Sequence, residues 1–387
     1  MPILTPLQAG EIARGVYDLR TQSVADALKT GIGTDDLFAV DDGSAFKGTS
    51  GALMFRKLTS FGYIARGVGP FNTEVLIATR GTATLADWIT DANIAVQMGP
   101  GGLPVHAGFN ETWKSFATEL HAFFRDHNPS RVHCVGHSLG GALAALSADF
   151  VSSRSIAPVE LYTFGSPRVG DGIFARSLTK RLTPASIHRV SHPSDPVPMI
   201  PLFPFWHLPF GGAGMTIAKG QHGLVSAGAH SMASSYLAAV REHSWATLAA
   251  GDVKADDGKR TQSWLERAAE GHGGFVMGSA TLLSLIGRAL AWLLAKAGQM
   301  VMGGLGVTLA IGATVLDQIA WLLTRAAQLS KELAGHVKTL IGAIFRFLGR
   351  KIGEAVDVTV AFMRWLLETL FSTLRAVGQR ALSMLNR

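Results

Sequence analysis

The chain has 387 residues, of which 48% are hydrophobic and 16% charged, well below the roughly 25% of charged residues in an ordinary soluble domain. Residues 1–270 contain 23 basic and 23 acidic side chains, so the net charge of +7 comes entirely from residues 271–387. This distribution argues against a basic nucleic-acid-binding face on the N-terminal part. It indicates a C-terminal region that meets anionic lipid or an acidic partner.

The cysteine content and the N-terminus bear on the cellular compartment. Cys134 is the only cysteine, so an intrachain disulfide is excluded and folding needs no oxidising compartment. Residues 1–11 have neither the basic stretch nor the apolar core of a secretory signal peptide. We therefore expect the protein to be cytoplasmic or membrane-associated in the producing cell, or to leave it by a route independent of a signal peptide.

The elements predicted along the first 250 residues alternate between helices and buried strands. Apolar periodicity predicts helices over 7–30 and 110–126, and an alanine-rich stretch predicts another over 142–148. Apolar runs bounded by turn residues predict strands at 52–57, 62–67, 74–79, 132–135, 159–164 and 187–191. This alternation predicts an α/β fold with a mostly parallel central sheet.

A change of composition marks the domain organisation. Residues 251–263 are rich in charged and small polar side chains, and a glycine-rich break follows at 271–274. The sequence therefore predicts an α/β domain at 1–250, a polar linker at 251–274 and an all-helical region at 275–387.

The C-terminal region is both apolar and basic. The run 297–316 has no charged residue and is long enough to span a bilayer. From Ile319 onward apolar residues recur at helical spacing, with basic residues such as Arg325, Lys338 and Arg364 on the opposite side. We expect membrane-interacting amphipathic helices; the alternative is a bundle that buries the apolar stripe on itself or on the α/β domain.

The clearest chemical motif is Gly-His-Ser-Leu-Gly-Gly-Ala at 136–142, which lies between a predicted strand and a predicted helix. Gly-x-Ser-x-Gly in this context is typical of a nucleophile elbow, a tight turn that exposes the serine hydroxyl at the edge of the sheet. Flanking glycines leave room for the neighbouring backbone, and the N-terminus of the following helix favours developing negative charge. Ser138 is therefore the predicted nucleophile.

A reactive serine needs a histidine as base and an acid that orients it, and after this kind of turn the acid precedes the histidine in the chain. Asp195 is the preferred acid because it directly follows the predicted strand 187–191 in a proline-rich loop. Asp171 and Asp149 are the alternatives.

The base is predicted to be His230, which lies at the start of a helix and follows Asp195 in the chain. His222 is the main alternative, and His207 and His243 lie in the same region. His137, next to the nucleophile, is predicted to be structural.

An oxyanion hole needs two preorganised donors. The backbone N–H of Leu139, the residue after the nucleophile, is one candidate. Thr82, in the loop after the predicted strand 74–79, is the other and offers both an N–H and a hydroxyl.

These motifs, in this order, resemble the class 3 lipases, an α/β-hydrolase family that includes fungal triacylglycerol lipases and related phospholipases. The resemblance covers roughly residues 50–240 and is carried by Arg80–Thr82, Asp87–Asp91, Val105–Phe109, the Ser138 turn, Thr163–Gly170, Asp195–Pro198 and His230–Met232 with Tyr236.

This resemblance implies an α/β-hydrolase fold followed by the helical C-terminal region. It also implies catalytic roles for Ser138, Asp195 and His230, with Thr82 and Leu139 as the oxyanion hole. By the same likeness, a possible lid contains Leu85, Trp88 and Ile89, where fungal members carry a lid helix.

We therefore expect a serine carboxylester hydrolase, a lipase or phospholipase A, whose partner is lipid at a membrane surface, in particular an anionic one. The alternative is a membrane-permeabilising, toxin-like effector in which the helical tail is the active part and the hydrolase domain is accessory. A bacterial secreted lipase effector would combine both and would have an immunity or secretion partner that the sequence does not identify. No cofactor, metal or nucleic acid is expected, because no phosphate-binding glycine loop, metal-ligand cluster or nucleic-acid motif is present.

Overall fold

The computed structural model describes residues 2–20, 37–39, 45–50, 57–81, 96–201, 204–212, 214–217, 223–250, 263, 277–302, 315–351 and 357–383. Its strands are β1 (Phe38–Ala39), β2 (Ala45–Ser50), β3 (Lys57–Gly67), β4 (Glu74–Thr79), β5 (Val96–Met98), β6 (Pro104–His106), β7 (Arg131–His137), β8 (Val159–Phe164), β9 (Gly170–Asp171), β10 (Ile187–Ser191), β11 (Phe205–Trp206) and β12 (Met215–Thr216).

The helices fall into two groups along the chain. The first group is α1 (Pro6–Gly15), α2 (Ala107–Lys114), α3 (Ala117–Asp126), α4 (Leu139–Ser153), α5 (Gly172–Leu182), α6 (Ala238–Val240) and α7 (Trp245–Ala249). The second group is α8 (Ala280–Met302), α9 (Val315–Leu329), α10 (Lys331–Phe347) and α11 (Val360–Ser383).

The main sheet confirms the predicted α/β fold. Its strands run in the order β1-β3-β4-β7-β8-β10-β12, and β2 pairs with β3. The pairs from β4 through β7, β8 and β10 to β12 are parallel, whereas β1, β2 and β4 pair with β3 in antiparallel fashion. Because parallel strands end at the same edge, the loops after β4, β7, β8 and β10 lie together there.

Neighbouring residues of the central strands point to opposite faces of this sheet. Leu76, Val135 and Tyr162 belong to the apolar cluster that contains α1. Ile77 and Cys134, one residue away in β4 and β7, belong to the larger cluster that contains α4. The sheet is therefore covered on both faces, which explains why β4, β7 and β8 are buried at almost every position.

The predicted helix over 110–126 is wrong as a single element, since the chain forms α2 and α3 with a break at 115–116. The Ser115 hydroxyl donates to the Thr112 carbonyl at 2.6 Å, and the Phe116 backbone, with φ −126° and ψ 8°, is not helical. The completely buried Phe116 ring stacks on Phe46 with the ring centroids 4.6 Å apart. The break therefore places an aromatic ring in the core that a continuous helix would direct elsewhere.

The apolar stripe of the C-terminal helices is buried in protein. Ile319, Leu323, Leu340 and Leu370 are all completely or almost completely buried, and they belong to the same apolar cluster as Leu143 of α4. The packing thus follows the bundle alternative for these residues. None of the described helices is both long and apolar enough to cross a membrane. Most of the uncharged run 297–316, residues 303–314, lies outside the described residues, as does nearly all of the predicted linker.

The helical bundle is joined to the α/β part by backbone hydrogen bonds. The Val225 N–H donates to the Gly278 carbonyl at 2.9 Å, and the Ala280 N–H donates to the Gly223 carbonyl at 3.2 Å. Helix α11 packs against the short 3-10 turn Ala227–His230. The bundle therefore supports the segment that carries the predicted base.

Candidate active site

Ser138 lies in the sharp turn between β7 and α4. Its backbone has φ 60° and ψ −131°, a conformation that non-glycine residues rarely adopt. A Cβ at Gly136 would stand 2.2 Å from the Gly140 carbonyl oxygen, and a Cβ at Gly140 would stand 2.2 Å from the Thr79 carbonyl oxygen. Only glycine fits at these two positions, so the turn that projects the serine depends on both.

The structure brings Ser138, His230 and Asp195 together in one hydrogen-bonded chain. The Nε2 atom of His230 lies 2.8 Å from the Ser138 hydroxyl oxygen, and Nδ1 lies 2.8 Å from Oδ2 of Asp195. All three side chains have an exposed fraction of 0%. In this arrangement the serine proton can pass to an imidazole that a carboxylate orients, as nucleophilic acyl transfer requires.

The Asp195 carboxylate is held by two further donors. The Val197 N–H donates to Oδ1 at 2.9 Å, and the Tyr236 hydroxyl donates to Oδ2 at 2.6 Å. Burial, followed by the nearby Asp195 charge, raises the pKa of Tyr236 well above its ordinary value, so this hydroxyl stays protonated and remains a donor. The role of Tyr236 was not predicted, because its hydroxyl acquires this partner only when residues 41 positions apart meet.

The two alternative acids have structural partners instead. Asp171 caps α5, since its Oδ1 accepts the N–H groups of Ile173 and Phe174, each at 2.9 Å. Asp149 is completely buried, forms an ion pair with Arg181 and accepts the Gly101 N–H at 2.7 Å.

The alternative bases lie elsewhere or outside the described residues. Burial, followed by the charge of Arg189, lowers the pKa of His207 well below its ordinary value. His243 lies on the surface, and His222 lies outside the described residues. His137 is completely buried beside the nucleophile and hydrogen-bonds to the His230 backbone rather than to Ser138.

One of the two predicted oxyanion donors can be placed. Leu139 is the first residue of α4, so its N–H lies in the first turn, where a helix provides no acceptor of its own. Thr82 lies outside the described residues, and so do the predicted lid residues Leu85, Trp88 and Ile89. The described chain reaches Gly81, where a Cβ would stand 2.9 Å from Cβ of Ser138. The segment that leads to Thr82 therefore passes directly beside the serine.

Within the described part of the chain, no three His, Cys, Asp or Glu side chains are grouped so that they could hold a metal ion. The thiol of Cys134 is buried in β7, and burial raises its pKa, so it is not a reactive thiolate. Ser138, by contrast, lies within hydrogen-bonding distance of a histidine that can act as its base.

The mostly parallel sheet and the Ser138–His230–Asp195 chain at its edge define the α/β-hydrolase class of serine hydrolases. Residues 76–205 match the family model described as Lipase (class 3). Over residues 76–205 the α/β part of the chain is similar to that family.

Two curated relatives and one solved structure are each similar to part of the chain. The "Secreted mono- and diacylglycerol lipase 1" of Fusarium solani is 37% identical over 134 residues, which cover 33% of this chain and 39% of that protein. The "Toxin TseL" of Vibrio cholerae is 36% identical over 117 residues, which cover 29% of this chain and 18% of that protein. The structure of lipase II from Rhizopus niveus is 24% identical, covers 55% of this chain and 79% of that one, and has a TM-score of 0.40. The chain thus spans less than half the length of either of these two curated relatives.

Proposed function

We propose that the protein hydrolyses carboxylic esters of lipids through an acyl-enzyme formed on Ser138. The observation that carries the proposal is the continuous chain of two 2.8 Å contacts from Ser138 through His230 to Asp195. The class 3 lipase match over residues 76–205 supports it.

Each residue has a defined part in the proposed reaction. The Ser138 hydroxyl attacks the ester carbonyl while His230 takes its proton, and Asp195 orients the imidazole and stabilises its positive charge. The Leu139 N–H, with Thr82, stabilises the oxyanion. His230 then protonates the leaving alcohol, and a water molecule activated by the same histidine releases the fatty acid.

Substitution of the nucleophile tests this proposal directly. Ser138→Ala should abolish hydrolysis of a short p-nitrophenyl ester and of long-chain glycerides and phospholipids, with no change in the folded state. Ser147→Ala is the matched control, since Ser147 is also a buried serine of α4 but binds the Trp113 indole N–H at 3.1 Å. Ester hydrolysis that persists in pure Ser138→Ala protein would remove Ser138 from the mechanism.

We further propose that the substrate lies in an anionic bilayer and that the outer surface of the helical bundle docks on it. Trp321 of α9 and Trp365 of α11 each expose 43% of their surface. The Arg350 guanidinium lies 5.9 Å from the centre of the Trp365 ring. Tryptophan and arginine side by side on the surface of the bundle suit the headgroup region of a membrane. The net charge carried by residues 271–387 favours phospholipid over a neutral oil droplet.

The packing of α11 gives this docking a route to the catalytic residues. Helix α11 packs against the Ala227–His230 turn, and a Cβ at Gly378 would stand 3.5 Å from Cδ1 of Ile200, five residues after Asp195. The bundle therefore contacts both of the loops that hold the base and the acid.

The docking proposal is best tested in the full chain, because the bundle shares its apolar core with the α/β part. Trp321→Gln combined with Trp365→Gln should weaken binding to phosphatidylglycerol vesicles by about tenfold or more while leaving hydrolysis of a soluble short ester unchanged. Arg125→Gln, a change at an exposed cation of α3, should change neither. Unaltered vesicle binding by the double variant would contradict the docking proposal.

A second candidate function is that of a toxin-like effector whose tail permeabilises membranes. Its support is the similarity to the Vibrio cholerae protein named Toxin TseL. The two candidates separate in a vesicle-leakage assay with Ser138→Ala protein. Leakage that survives this substitution would favour permeabilisation by the tail, whereas leakage that disappears would assign it to lipid hydrolysis.

A further inference from the structure

An N-terminal tyrosine reaches the candidate active site from outside the segment that matches the lipase family. Tyr17 lies in the 3-10 turn Val16–Arg20 that follows α1. Its hydroxyl oxygen lies 2.8 Å from Nδ1 of His137 and accepts the Gly81 N–H at 3.1 Å. The Nε2 atom of His137 lies 2.9 Å from the carbonyl oxygen of His230. The Tyr17 hydroxyl therefore contacts both His137, which precedes Ser138 in the chain, and Gly81, which lies against Ser138.

The direction of each of these hydrogen bonds follows from the His230 carbonyl, with which the series from Tyr17 through His137 ends. A carbonyl oxygen only accepts, so Nε2 of His137 carries the proton. Burial, followed by the proximity of His230, lowers the pKa of His137 well below its ordinary value, so the ring is neutral and Nδ1 has only a lone pair. Tyr17 therefore donates its own proton to Nδ1 while it accepts the Gly81 N–H.

We propose that Tyr17 is a positioning residue for the reaction at Ser138. It fixes the oxyanion side of the site in position relative to the catalytic base, His230. Its acceptor function fixes Gly81, the residue before the oxyanion candidate Thr82. Its donor function fixes His137, whose Nε2–H in turn fixes the backbone of His230. This inference rests on the proposed hydrolase function and adds a residue that touches neither the substrate nor the reacting atoms.

The close packing at Gly81 explains why this contact matters. A Cβ at Gly81 would stand 2.5 Å from the Tyr17 hydroxyl and 2.9 Å from Cβ of Ser138, so the tyrosine, the glycine and the serine lie one against another. Oxyanion donors act only when they are held at the place where the charge develops. Loss of the Tyr17 hydroxyl leaves both the Gly81 N–H and Nδ1 of His137 without this partner and loosens the segment beside the serine.

The test compares Tyr17→Phe with a chemically matched control. Tyr162 also accepts a backbone N–H from the N-terminal segment, that of Leu4 at 3.2 Å, and its hydroxyl lies 3.3 Å from Nδ1 of another histidine, His133. Tyr162→Phe therefore removes the same kind of hydroxyl from a different histidine. A general effect of loosening the N-terminal segment would appear in both variants, whereas a positioning effect would appear only in Tyr17→Phe.

Three measurements report on the serine and its oxyanion site. The first is the rate of labelling by a fluorophosphonate, in which Ser138 Oγ bonds to phosphorus, fluoride leaves and His230 takes the serine proton. The others are kcat and KM for a short ester, and inhibition by an alkylboronic acid that forms a tetrahedral adduct. Tyr17→Phe should lower the labelling rate and kcat by about tenfold each, weaken boronic acid inhibition by a similar factor and leave KM unchanged. Tyr162→Phe should stay within about twofold of wild type in all three.

Several outcomes would overturn the inference. Labelling of Tyr17→Phe at the wild-type rate would do so, and so would equal losses in Tyr17→Phe and Tyr162→Phe. Nitrogen-15 NMR of the histidines in wild-type protein needs no variant: the His137 ring should be neutral and protonated at Nε2, and a proton at Nδ1 would refute the proposed bond from Tyr17. If wild-type protein labels at Ser138 but hydrolyses no ester, the proposed function fails, while the labelling ratio still decides the role of Tyr17.

Discussion

The hydrogen bond from Tyr236 to Asp195 allows a quantitative test of how the acid is supported. Tyr236→Phe removes the hydroxyl and little else from a completely buried ring. Two hydrogen bonds disappear, the 2.6 Å bond to the carboxylate and the 3.1 Å bond that the hydroxyl accepts from the His192 N–H. A hydrogen bond to a charged group contributes about 1.5–3 kcal/mol and a neutral one about 0.5–1.5 kcal/mol. Phenylalanine recovers about 1–2 kcal/mol because no hydroxyl has to be desolvated. We therefore expect a net loss of about 2 kcal/mol in the free energy of unfolding.

Urea unfolding at pH 7.5 measures this loss, and Tyr162→Phe serves as the reference. The hydroxyl of Tyr162 accepts the Leu4 N–H and lies beside the His133 ring, with no carboxylate partner in either contact. Its removal should lower the free energy of unfolding by about 1 kcal/mol or less. Ester hydrolysis should fall about tenfold in Tyr236→Phe and stay unchanged in Tyr162→Phe. Only the first variant removes a hydrogen bond from the Asp195 carboxylate.

The pH dependence gives a second check on the same bond. The pKa of Tyr236 is raised in the folded state above the ordinary value of 10.0, so the unfolded chain loses this proton first as the pH increases. The stabilisation is complete below pH 10 and decreases above it, so the stability difference between wild type and Tyr236→Phe should shrink above pH 10. If Tyr236→Phe is no less stable than Tyr162→Phe at pH 7.5, the charge-assisted bond to Asp195 contributes nothing and the reasoning is refuted.

Three further predictions concern packing and ion pairing. Gly140→Ala should prevent folding, seen as loss of soluble protein, because its Cβ would meet a backbone oxygen at 2.2 Å, whereas Gly335→Ala in α10 meets nothing within 4 Å and should raise the free energy of unfolding by about 0.5–1 kcal/mol. Arg181→Ala leaves the buried Asp149 carboxylate without its guanidinium and should cost about 3 kcal/mol in urea unfolding. Burial already raises the pKa of Asp149, so this deficit should be smaller at pH 5 than at pH 8, and an equal deficit would exclude a buried charge as its cause. Asp171→Ala should lower the thermal stability by about 1 kcal/mol and leave ester hydrolysis intact, since Asp171 caps a helix; a large loss of kcat would contradict that assignment.

Strands of the central sheet were predictable because the residues that indicate them lie within or directly beside each strand. The predicted strands at 74–79 and 159–164 coincide with β4 and β8, since both are mainly apolar segments bounded by turn residues. The break between α2 and α3 was not predictable in this way. It depends on the contact of Phe116 with Phe46, a residue 70 positions earlier in the chain. Tertiary packing overrides helical periodicity there.

In the site, too, some residues could be predicted from nearby sequence, whereas others depend on contacts between distant segments. Ser138, Asp195 and His230 could be proposed from a turn motif and the order of the chain, and the structure places them within hydrogen-bonding distance. The roles of Tyr17 and Tyr236 could not, because a tyrosine hydroxyl in a sequence does not show which partner it will meet. Periodicity likewise identified the apolar stripe of the C-terminal helices, but a stripe does not distinguish a bilayer from a protein core as the surface that covers it.

Because α11 packs on the Ala227–His230 turn, the site is completed only after α11 has been synthesised. Residue 360, where α11 begins, follows His230 by 130 positions, so ribosomes add it roughly 6–26 s after the histidine at about 5–20 residues per second. During that interval the histidine has been translated but the helix that supports its turn has not. This support of the catalytic base therefore arrives well after the base itself has been synthesised, which delays the finished site in a protein proposed to degrade membrane lipid.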